Sequence, residues 1–103
     1  MIRGLIIKPR KSPKEVEIEN TLESLQSQVE GYIEIIRPIN HLGVVLLVNE
    51  EGKIMKLPYN RYIQGNLIRG NILVLGEEDG EFISLTDSQI SEYKKLYGSK
   101  SFI

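Results

Sequence analysis

Tyr59, Asn60, Arg61 and Tyr62 stand side by side in the stretch KLPYNRYIQGN, residues 56–66, and are the side chains best suited to holding a ligand. An arginine presents a planar fork to phosphate or carboxylate, a tyrosine a face to a base, and an asparagine a donor–acceptor pair to the base's edge. Asn49 and Glu51, in the preceding NEEG stretch, complete the candidate ligand-binding set. Neither GxxxxGK[ST] nor GxGxxG occurs in the chain, so a phosphate bound here would rest on side chains. The same residues also read as a strand-ending turn: Pro58 pushes Leu57 toward an extended conformation, and Asn60 bonds its own backbone or takes a left-handed φ. In that reading Arg61 ties the LPYNR turn to the NEEG turn through Glu50 or Glu51, with any binding surface beside the tie.

Other chemistry has few carriers. The chain has no cysteine and one histidine, which closes disulfide frameworks, thiolate nucleophiles, Cys-based zinc sites and His pairs. His41 lies in PINHLG, between two strand-like runs, where a lone histidine is ordinarily solvated. Glu50, Glu51, Glu77, Glu78 and Asp79 offer carboxylates for a water-mediated Mg²⁺, but both clusters fall in turn signals where acids serve solubility. We therefore assign no catalytic residue, metal ligand or cofactor.

The elements that must position these residues are short and sharply punctuated. Residues 2–7 form a first strand, KPRKSP a basic turn, and residues 15–19 a second strand with Val16 and Ile18 inward, giving an opening hairpin. Asn20 and Glu23 have capping-box spacing, Leu22, Leu25 and Val29 share a helical face, and Gly31 supplies the stop. Strands are expected over 32–37, 43–48 and 53–57, then over 71–75 and 81–85 around the turn GEEDG. Thr86 and Gln89 cap a second helix, with Ile90, Tyr93 and Tyr97 on one face. This order predicts an α+β fold: a mostly antiparallel sheet of about six to seven strands, two helices laid on one of its faces, and a first half compatible with a β-grasp-like roll.

With 103 residues, 41% of them hydrophobic and 26% charged, the chain has the size and composition of one globular domain, 1–103. Its longest apolar run, Val44 to Val48, is far short of a membrane span, and MIRGLIIKPR is too short in apolar residues for a secretory signal, so a cytoplasmic location is expected. A net charge of -1 argues against a general nucleic-acid or membrane field. The charges are nevertheless blocked. Residues 1–14 carry Arg3, Lys8, Arg10, Lys11 and Lys14 without an acid, and residues 52–76 carry Lys53, Lys56, Arg61 and Arg69 without an acid. The basic KPRKSPK turn has no interleaved aromatics and reads as a solvated hairpin tip, so nucleic acid is not expected as a partner.

MIRGLIIKP at the start, VEIENTLESLQSQVEGYIE, NEEGK followed by LPYNR, and SLTDSQISEY near the end resemble the bacterial and phage domain family of unknown function DUF3846, nearly from end to end. The resemblance runs through Gly31, Tyr32, Ile33 and Glu34, then Asn49, Glu50, Glu51 and Gly52, then Leu57, Pro58, Tyr59, Asn60 and Arg61. It implies a phage or mobile-element setting in a bacterial cytoplasm and no particular activity. The expectation drawn from the sequence is a non-enzymatic binding protein that contacts a host or phage protein through a sheet edge or an aromatic patch. Alternatives are a binder of a small anionic ligand such as a nucleotide and, less favoured, a metal-dependent hydrolase. A homodimer by edge pairing is a further expectation.

Overall fold

The computed structural model describes residues 1–39 and 42–98. Its elements run β1 (Ile2–Ile7), β2 (Lys14–Ile18), α1 (Leu22–Val29), β3 (Ile33–Ile36), β4 (Val44–Asn49), β5 (Tyr59–Ile63), β6 (Asn66–Arg69), β7 (Ile72–Glu78), β8 (Glu81–Ile83) and α2 (Asp87–Leu96). The fold is α+β, dominated by antiparallel strands. The main sheet has the order β2-β1-β7-β4-β3, with β8 on β7, and β5 and β6 form a separate hairpin. The β1–β2 and β3–β4 pairs do not meet, because β7, from the second half of the chain, lies between β1 and β4.

The expectation that both helices share one face is corrected by the packing. On one side Leu5, Ile7, Leu46, Ile72 and Val74 pack with Leu85, Ile90 and Tyr93 of the α2 region and Ile63 of β5. On the other, Ile6, Val45, Leu47, Leu73 and Leu75 pack with Leu25 and Val29 of α1. Side chains alternate between faces along a strand, so these two sets are the two faces of one sheet. All six residues of β4 are buried as a consequence. Close approach at the sheet centre requires Gly4, where a Cβ would stand 2.5 Å from the Val74 carbonyl oxygen.

The helix caps differ in one detail from expectation. Thr21, not Asn20, is the N-cap of α1 and accepts from Ser24 N at 3.2 Å, while Asn20 Nδ2 donates to Phe82 O. Leu22 is exposed, so in this eight-residue helix the buried stripe is Leu25 and Val29. Thr86 and Gln89 form the expected capping box on α2.

The largest departure lies between β4 and β7. Residues 53–57 are not a strand. Met55 N bonds Glu51 O, Lys56 N bonds Lys53 O and Leu57 N bonds Gly52 O, winding the NEEGKIMK stretch into a compact turn with Ile54 and Met55 exposed. Pro58 does not terminate a strand but precedes β5. Gln64 and Gly65, both at positive φ (49° and 83°), form the two-residue turn into β6.

Candidate functional site

β5 carries the four central candidate residues and carries them unevenly. Tyr59 pairs with Arg69 and Tyr62 with Leu67, three steps along β5 against two along β6, so the strand bulges between the tyrosines. The bulge turns two consecutive side chains inward and leaves both tyrosines out. Asn60 and Arg61 are 2% and 0% exposed, whereas Tyr59 and Tyr62 are 49% and 62% exposed.

The inward pair is a structural bolt. Asn60 Nδ2 donates to Ile7 O (2.8 Å) at the end of β1 and to Gly70 O (2.7 Å) after β6, and its Oδ1 accepts from Arg61 Nη1 at 2.7 Å. Arg61 Nη2 donates to Lys11 O at 2.7 Å and Tyr97 O at 2.8 Å, joining the first hairpin's turn to the end of α2. This corrects the expected tie from Arg61 to Glu50 or Glu51. The bulge points the guanidinium into the core rather than toward the NEEG turn. Burial lowers the Arg61 pKa from its usual value, yet an arginine remains charged, and carbonyl dipoles receive its donors.

Asn49 has the same character. Its Nδ2 donates to Val29 O (3.1 Å) and Glu30 O (3.2 Å), closing the end of α1, and its Oδ1 accepts from Glu51 N at 2.7 Å, starting the turn. Glu30, with φ 63°, takes the left-handed position expected of Gly31. Gly31 is needed for a different reason: a Cβ there would lie 2.7 Å from Asn49 Nδ2. Asn49→Ala should therefore cost about 1–3 kcal/mol, since it strips donors from buried carbonyls. Urea denaturation reads the loss directly, and a midpoint equal to wild type would contradict the capping role.

The outward residues meet others that the sequence reading did not single out. The Arg69 guanidinium lies over the Tyr59 ring, 4.0 Å from its centroid, and bonds the Tyr59 hydroxyl. Arg69 also lines a groove of about 330 Å³ together with Glu34, Glu50, Lys53, Ile54 and Leu67. Of the predicted set, only Asn49 lines this groove, and it does so beside its capping role; Glu51 is exposed on the turn. Tyr59, Asn60, Arg61 and Tyr62 thus do not converge on one pocket. The one signal in the sequence that points to Arg69 is Gly65, a turn residue whose turn with Gln64 folds β6 back along β5 and sets Arg69 opposite Tyr59.

His41 lies outside the described residues. Among the described residues no group of three or more His, Cys, Asp or Glu is arranged to hold a metal ion, and no helix is long and apolar enough to cross a membrane.

Gly31, Asn49, Asn60 and Arg61, which carried much of the resemblance, thus serve packing and capping. No curated protein and no solved structure matches the chain. Residues 2–98 match the model of the family described as "Domain of unknown function (DUF3846)", and the chain belongs to that family.

Proposed function

We propose that this protein is a non-enzymatic binding protein that acts on a host protein in a phage or mobile-element setting, through the face built by Tyr59, Tyr62, Arg69 and Ile54. The observation that carries the reading is the β5 bulge, which spends Asn60 and Arg61 on the interior and leaves an aromatic and cationic surface outside. Tyrosine and arginine are enriched at protein interfaces because each combines large apolar area with directional polar groups. Arg69, already held on the Tyr59 ring, loses little further freedom on binding. The phage setting and the cytoplasmic location rest on the family resemblance alone.

A photo-crosslinking amino acid placed at position 62 in the bacterial host tests this. One discrete protein adduct is expected, abolished by Tyr59→Ala with Arg69→Ala, while Tyr62→Ala changes folding stability by no more than about 0.5 kcal/mol. An adduct pattern identical to that from a probe at position 23, on the exposed side of α1, would count against the assigned face.

A further inference from the structure

The first hairpin sorts its charges by strand alternation. Ile6 pairs with Lys14 and Gly4 with Val16, so Ile6, Lys14 and Val16 share the face toward α1, and Glu15 and Glu17 take the other. There Glu15 meets Lys94 at 3.0 Å and Arg3 at 3.9 Å. On the α1 side a cleft of about 420 Å³ opens, floored by Ile6 and Val16, edged by Ser12 and Gln28, and surrounded by Lys8, Lys11 and Lys14. No acid lines it, and among the described residues no ion pair reaches these lysines. Unneutralised ammonium groups around one concavity focus a positive potential there.

Both walls are fixed from behind. Arg61 Nη2 on Lys11 O and Asn60 Nδ2 on Ile7 O hold the turn that carries the lysines, and Lys11 N closes it on Lys8 O at 3.0 Å. Across the cleft, Asn71 Nδ2 donates to Gln28 O at 3.0 Å and anchors the helix side. The volume falls in the range of small-molecule sites, and the lining sets two apolar residues, Ile6 and Val16, among five polar ones, a balance suited to a charged ligand with an apolar part.

We propose that this cleft binds a nucleoside phosphate, its phosphates among Lys8, Lys11 and Lys14, its base on Ile6 and Val16, and its base edge against the Gln28 amide. The apolar floor favours an organic phosphate over the bare anion. The local extent of the lysines, with no aromatic in the cleft, favours a single nucleotide over a nucleic-acid strand. This site is separate from the β5–β6 face, and it uses the basic turn that the protein-binding reading leaves without a role.

The test is titration calorimetry of the full chain in magnesium-free, low-salt buffer, with ATP, GTP, CTP, UTP, inorganic tripolyphosphate and a thymidine oligonucleotide as probes. At least one nucleoside triphosphate should bind about tenfold or more tightly than tripolyphosphate, since only the former uses the floor. Lys11→Gln with Lys14→Gln should weaken that binding about tenfold or more with an unchanged Tm, and Lys53→Gln, in the other groove, should leave it unchanged. Amide chemical shifts of Ser12 and Gln28 should move during the titration. The proposal is overturned if no triphosphate binds, if tripolyphosphate binds as well as the nucleotides, or if the double variant binds like wild type. Tighter binding of the oligonucleotide than of every nucleotide, or shifts confined to Tyr59, Tyr62 and Arg69, overturns it as well.

Discussion

Arg61→Ala is expected to destabilise the protein by about 3–5 kcal/mol, because it removes a fully buried side chain that donates to three oxygens from separate segments. Asn60 Oδ1, Lys11 O and Tyr97 O would each lose a donor, and the vacated volume borders Asn60, which itself holds Ile7 and Gly70. Losses of this kind exceed what a solvent-facing arginine contributes, about 0–1 kcal/mol. Arg61→Lys should recover only part of the stability, since one ammonium cannot reproduce a fork that reaches Asn60 on one nitrogen and two carbonyls on the other. Urea denaturation of the three proteins decides the matter. A cost for Arg61→Ala below about 1 kcal/mol would show that the bolt does not bear on folding.

Leu25→Ala should cost about 2–5 kcal/mol by opening a cavity between α1 and the sheet. Leu25 is 4% exposed and packs in the cluster with Ile6, Ile18, Val45, Leu47, Leu73 and Leu75. α1 is short and buries only Leu25 and Val29, so losing one of the two leaves the helix with a single apolar anchor on its face of the sheet. Leu22→Ala, in the same helix but exposed, should stay within about 0.5 kcal/mol and serves as the control. A midpoint for Leu25→Ala within that same margin would mean that α1 is not held by this contact.

Local signals carried the elements whose formation depends on near neighbours. The first hairpin, the Thr86 capping box and the GEEDG turn were legible because strand alternation, cap spacing and positive-φ residues act within a few positions. The stretch 53–57 carries only a weak strand pattern, and its fate is decided by Asn49, whose side chain holds Glu51 N and starts a turn instead. β6 is hard to read from the sequence because Gln64 is an unusual residue at positive φ, even though the Gly65 beside it marks the turn.

By itself the sequence determined the α+β class, most of the strand and helix positions, and the segregation of basic from acidic residues, since these follow from patterns a few residues long. Only the tertiary structure decided that the helices take opposite faces, because β7 must travel from the far end of the chain to separate β1 from β4, and such a pairing leaves no local trace. Only it decided, too, that Asn60 and Arg61 point inward while Tyr59 and Tyr62 point outward. A bulge inverts the alternation from which facing is read, and the acceptors that reward the inversion, Ile7 O, Lys11 O and Tyr97 O, lie at both ends of the sequence and meet only in the fold.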